Sequence, residues 1–109
     1  MNWIELTDEA QLDAIIEESK TQPVVIYKHS HRCHICTMAK TRLERGEAPV
    51  GVKFYFLDVL AHRPVSNRVA DIFHVHHESP QLLLIKNGEC MYDESHNGIR
   101  MEELAEQLA

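Results

Sequence analysis

Residues 27–36 of this 109-residue chain, YKHSHRCHIC, hold three histidines, one lysine, one arginine and two cysteines. Cys33 and Cys36 form a C-x-x-C, a spacing that serves two chemistries: tetrahedral zinc binding and thiol-disulfide exchange. Exchange needs an asymmetric pair, because the thiolate attacks and its partner must be held back until it is needed. The pattern predicts that asymmetry. Cys33 falls at or before the first turn of a helix, where unpaired backbone N–H groups and the positive end of the helix dipole favour a thiolate. Cys36 lies one turn further in, where burial keeps it less ionised. His31, Arg32 and His34 flank Cys33, and positive charge on any of them lowers its pKa further. Two other readings stand beside this one. Cys33, Cys36, His29 and His31 offer four zinc donors, although a structural zinc site usually draws its second pair of ligands from a separate segment. His74, His76 and His77 complete such a site only if the fold brings them close. In the third reading, the cysteines simply fill a half-buried position.

The elements around the pair follow from local pattern. NWIEL reads as a short strand, and Thr7 as the N-cap of a helix through about Lys20 with Leu12, Ile15 and Ile16 on its buried face. PVVIYKH (23–29) is a near-continuous apolar and β-branched run, as expected of a strand covered on both faces. Residues 33–45 carry a second helical pattern, with Ile35, Met38, Ala39 and Leu43 at helical spacing and Gly46 closing it. VKFYFLDV (52–59) is a strand, and residues 64–75 form a short helix opened by Pro64. QLLLIKNGECMYD (81–93) reads as two strands joined at Asn87-Gly88, a pair that suits a tight hairpin turn. RMEELAEQLA closes the chain as an amphipathic helix. The order is βαβαβαββα in one domain spanning residues 1–109, an α/β fold with a central mixed sheet flanked by helices on both faces. Sites in such sheets gather at the carboxyl ends of strands, and the thiol pair lies at one of these ends.

A net charge of −6 argues against a nucleic-acid partner. Residues 27–34 contain no acid, so the pair lies in a locally positive patch suited to an anion or to a group that becomes one. The N-terminus has no basic region followed by an apolar run, and no stretch is apolar for long enough to span a bilayer. A cytoplasmic location is therefore expected, where cysteines stay reduced unless they do redox or metal work. Nothing resembles a nucleotide or flavin site, so no cofactor is expected and electrons must come from an external reductant.

Pro80, after Ser79 and directly before a buried strand, should approach the Cys33 loop in this architecture. Strand, C-x-x-C at a helix start, then a proline opening a hairpin: this layout resembles the thioredoxin-like superfamily. Within it, KHSHRCHIC (28–36), VHHESPQ (75–81), KNGE (86–89) and SHNGI (95–99) are similar to the monothiol bacilliredoxin (YtxJ-like) family. The resemblance implies a cis Pro80, and a docking edge at Ser79 and Pro80 that pairs with the substrate chain beside Cys33. It also implies an activity, the removal of the low-molecular-weight thiol bacillithiol from S-thiolated protein cysteines, with Cys33 taking it up. Where the family carries Cys-Pro-Ile-Ser, this chain carries Cys33-His34-Ile35-Cys36. The serine-to-cysteine difference adds a resolving thiol, and a histidine between two sulfurs implies a potential less reducing than thioredoxin's value of about −270 mV.

Among the remaining residues, Cys90 is expected to be a buried spectator rather than a second resolving thiol. Lys28 reads as a solvated strand-end lysine or a charge partner for the thiolate. Asp58 is expected to make turn or capping hydrogen bonds, and His74, His76 and His77 to occupy a solvated loop. A bacilliredoxin-type oxidoreductase is the leading reading; a zinc module and a thioredoxin-like docking domain without turnover are its rivals.

Overall fold

A computed structural model describes residues 1–109. Its elements are β1 (Trp3–Glu5), α1 (Ala10–Glu18), β2 (Val24–His29), α2 (His34–Arg45), β3 (Lys53–Asp58), α3 (Arg63–Phe73), β4 (Gln81–Lys86), β5 (Glu89–Ser95) and α4 (Met101–Leu108), with a 3-10 turn at His96–Gly98. The order is the βαβαβαββα expected. The strands form one sheet in the order β1-β3-β2-β4-β5, with β1, β3 and β2 parallel, β4 antiparallel to β2, and β5 antiparallel to β4.

Side chains alternate along β2 and therefore feed two cores. Val24 and Ile26 pack with Leu12, Ile15, Val65 and Val69 of α1 and α3. Val25 and Tyr27 pack on the other face with Ala39, Leu43 and Leu104 of α2 and α4. All six residues of β2 are buried, as its apolar run requires.

This topology positions the site. The carboxyl ends of β2 and β3 lie side by side, with His29 opposite Asp58. Because β4 runs the other way, its first residue, Gln81, lies opposite Lys28. The residues just before β4 are thereby brought to the loop that leaves β2.

Several element ends differ from expectation for local reasons. α1 begins at Ala10, not after Thr7: the Asp8 carboxylate accepts the Ala10 N–H (2.8 Å), while Gln11 Oε1 reaches back to accept the N–H groups of Thr7 (2.8 Å) and Asp8 (3.1 Å). α2 turns Cys36, Ala39 and Leu43 inward, leaving Ile35 and Met38 about half exposed. α3 stops at Phe73, where His74 takes a left-handed conformation (φ 56°). The Asn87-Gly88 turn has positive φ at both residues (53° and 75°), as a two-residue hairpin with the right twist demands. The strand after it runs on to Ser95, with a register shift that leaves exposed Met91 out of the ladder.

Candidate active site

Cys33 occupies the N-cap of α2 in extended conformation (φ −104°, ψ 116°), its own N–H donating to Ser30 O at 3.0 Å. A serine at this position would accept N–H groups from the first turn. The Cys33 thiol closes no cap hydrogen bond of ordinary geometry, yet those same groups act on its charged form. Its pKa is lowered first by the Cys36 N–H and then by the Cys36 thiol; burial opposes them, and the Ile35 N–H adds a smaller lowering. Cys36, one turn on, is fully buried. Burial pushes its pKa up, opposed in part by the Ser79 hydroxyl and the Ser30 backbone. The two sulfurs are thus a half-exposed thiol inclined to ionise and a covered one inclined to stay protonated.

His31, Arg32 and His34 flank the pair, and none is a source of the lowered Cys33 pKa. His31 Nδ1 instead lies 3.4 Å from Asp58 Oδ2. Asp58 also makes the expected turn hydrogen bonds, accepting the N–H groups of Leu60 (3.0 Å) and Ala61 (3.1 Å). Burial works to raise its pKa, but those N–H groups and His31 outweigh it, so the net shift is downward. The lowered pKa of Cys33 comes instead from the Cys36 and Ile35 N–H groups and the Cys36 thiol.

Ser79 and Pro80 meet the pair from across the sheet. The Ser79 hydroxyl lies 3.3 Å from the Cys36 sulfur, 43 residues away in sequence, and the Ser79–Pro80 peptide bond is cis. From beneath, Tyr27 donates its hydroxyl to the Cys36 carbonyl at 2.8 Å. With that proton committed, the 3.3 Å contact between the Tyr27 oxygen and His29 Nδ1 requires the imidazole to donate, which assigns the proton to Nδ1. His29 also packs on Phe56 (ring centroids 5.0 Å apart). Burial, then Lys40, holds its pKa below the usual histidine value.

These orientations give the zinc reading no support. His29 faces Tyr27 and Phe56, His31 faces Asp58, and no three His, Cys, Asp or Glu residues gather closely enough to hold a metal ion. Cys90 lies at the opposite end of the hairpin, paired with Ile85, and donates to Tyr92 O (3.4 Å); burial pushes its pKa up to about 11.

Lys28 is the main correction. It is fully buried, not solvated. Alternation turns it away from the thiols toward α3, where its ammonium donates to Ser66 O (3.2 Å) and approaches His77 Nδ1 (3.3 Å). No carboxylate pairs with it, and burial, followed by Arg63, lowers its pKa to about 8. His77 is likewise only partly exposed, contacting the Ser66 hydroxyl (3.2 Å) and held below its usual pKa by burial and then by Lys28 and Arg63. Opposite Lys28, buried Gln81 donates to His76 O (2.9 Å) and leaves its own carbonyl oxygen without a partner. His74 and His76 are exposed, as a solvated loop requires, whereas His77 and the His76 carbonyl tie the segment leading to Ser79 to its neighbours. A signal for this was present in the sequence, because a lysine within a run covered on both faces has no route to water. Nothing local points to the partnership of Tyr27 with Cys36.

A thiol pair at a helix N-terminus, facing the residue before a cis-proline in a five-stranded mixed sheet, defines the thioredoxin fold and its redox class. Residues 4–104 match the family model for the monothiol bacilliredoxin BrxC. The chain belongs to that family. It is also similar to a solved protein with a thioredoxin fold, at 31% identity over 97% of this chain and 93% of the other, with a TM-score of 0.82. Thioredoxins of Fasciola hepatica (20% identity, 95% and 94% covered, TM-score 0.72) and Malassezia sympodialis (18%, 98% and 88%, 0.75) share the fold. No helix is long and apolar enough to cross a membrane.

Proposed function

We propose that this thiol-disulfide oxidoreductase removes a low-molecular-weight thiol, bacillithiol, from S-thiolated proteins in the cytoplasm. The Cys33 thiolate attacks the small thiol's sulfur in the mixed disulfide. The protein thiolate leaves and takes a proton from solvent, and the small thiol stays disulfide-bonded to Cys33. Cys36, once deprotonated, attacks the Cys33 sulfur and expels the small thiol; a second molecule of the small thiol is the other route of release. An external reductant supplies two electrons to reopen any Cys33–Cys36 disulfide. Ser79 and Pro80 form the edge along which the substrate chain lies.

The observation that supports this reading is the asymmetry of the pair: a half-exposed Cys33 with lowered pKa beside a buried Cys36 with raised pKa. The experiment is site-resolved alkylation of reduced, metal-free protein against pH, followed by reaction with a bacillithiolated protein. Cys33 should titrate below the ordinary cysteine value of about 8.5, with Cys36 reacting far more slowly. Cys33→Ser should abolish release of bacillithiol. Two equally sluggish thiols, or release that survives Cys33→Ser, would reject the assignment.

A further inference from the structure

The outer face of α2 holds a groove of about 510 Å³ that the chemistry above leaves unused. Thr37, Met38, Thr41, Arg42 and Arg45 line it from α2, and Glu102 from α4. Cys33, Thr37, Thr41 and Arg45 recur every four residues, so they form one stripe along the helix with the nucleophile at its head. The first lining residue is bonded to that nucleophile's backbone: the Thr37 N–H (3.2 Å) and hydroxyl (3.5 Å) both point to Cys33 O. At 1.5 Å per residue the stripe runs from about 6 Å to about 18 Å beyond Cys33, the scale of a small molecule of several linked units.

The groove's far wall is fixed. The end of α2 presses against α4 so closely that a side chain at Gly46 would come within 2.6 Å of Met101 Cβ. Arg42 is anchored by hydrogen bonds to Ile99 O (2.9 Å) and His96 O (3.2 Å), neutral acceptors that hold its guanidinium without cancelling its charge. Neither Arg42 nor Arg45 is in an ion pair. Two unpaired guanidiniums and two hydroxyls against one acid, Glu102, make a local cationic trough on a chain of net charge −6.

We propose that this groove binds the carboxylate-bearing body of the low-molecular-weight thiol while its sulfur reacts at Cys33. Arg45 and Arg42 receive the carboxylates, and Thr37 and Thr41 bond the polar groups between. The inference rests on the dethiolation reading and adds to it a reason why Cys33 attacks the small thiol's sulfur rather than the protein's: the bound body aligns that sulfur at the head of the groove. The bonds made and broken are those of the reaction above.

The test uses one carrier protein thiolated either with glutathione or with glutathione diethyl ester, which keeps the same body but masks both carboxylates. Rate constants for removal by the reduced protein are measured for each. Long-range attraction to an acidic protein favours the ester, so faster removal of glutathione reports the groove. Arg45→Ala should lower the glutathione-to-ester rate ratio about tenfold and Thr41→Val a few-fold. Lys20→Ala, in the turn after α1 and paired with Glu17, should leave it unchanged. An unchanged ratio in Arg45→Ala overturns the proposal. So does an equal fall in both rates with a lower melting temperature, which would show that the arginine only complements the dipole at the helix end. Wild-type protein that removes bacillithiol from the same carrier but neither glutathione form also overturns the groove proposal, whereas failure with all three is a separate outcome, read from the absolute rates, that removes the dethiolation reading itself.

Discussion

Two regions on opposite faces of the sheet meet at the end of β2, and they handle buried polar groups in opposite ways. On the α2 face, Tyr27, His29, Cys36 and Ser79 form a chain of contacts between neutral groups, and the one group left inclined to charge is Cys33 at the rim. On the α3 face a lysine is buried without an acid, touching a helix carbonyl and a histidine that is itself kept below its usual pKa. Burial raises the Cys36 pKa and lowers that of Lys28, in both cases toward the neutral form. On the first face this prepares a thiol to wait its turn. On the second it keeps the segment leading to Ser79 in place at an energetic cost. Adjacent residues of one strand thus serve chemistry and scaffolding separately, because the pleat sends them to different faces.

The largest expected contrast between the faces is kinetic. In Cys36→Ser, with no small thiol in solution, Cys33 should still take up the thiol in a single turnover but release it on the order of 100-fold more slowly, leaving a mixed disulfide visible by mass spectrometry. In Lys28→Met both steps should stay close to wild type. Equal release by Cys36→Ser and wild type would reduce Cys36 to packing and erase the distinction.

Lys28→Met should instead reveal itself in stability. With the Lys28 pKa lowered to about 8 from 10.5, the unfolded chain holds more protons than the folded one between those values, so wild-type stability rises with pH across that window. The rise is at most about 3 kcal/mol, and the variant lacks it. Urea unfolding at pH 7 and pH 10 should show the variant at its most favourable relative to wild type at pH 7, with that advantage shrinking at pH 10. A difference that is flat with pH would mean that Lys28 is not depressed.

The smallest effect belongs to Ser79→Ala. Its hydroxyl lowers the Cys36 pKa against the effect of burial, so its loss should raise that pKa further and slow resolution of the Cys33 mixed disulfide a few-fold near neutral pH. The initial attack by Cys33 should be unaffected. A faster resolution step would show that the hydroxyl holds the thiol back rather than activating it.

Much of this was legible along the chain. The apolar run of β2, the Asn87-Gly88 turn and the cysteine at a helix start are local patterns, set by the 2.0 and 3.6 periodicities and by backbone conformations that few residues adopt. They suffice for element order, sheet type and the placing of Cys33 ahead of Cys36. What no local pattern contains is which distant partner meets which polar side chain. His31 reads as a neighbour of Cys33 until β3 brings Asp58 to it. Lys28 reads as solvated until α3 closes over it. Ser79 meets Cys36 only because β4 runs antiparallel to β2 and starts where β2 ends. The sequence by itself determined the reactive residue types, their spacing and the elements that carry them, since these follow from short-range sterics and hydrophobic period. Only the tertiary structure decided which of those groups are charged, because ionisation depends on burial and on partners many residues away.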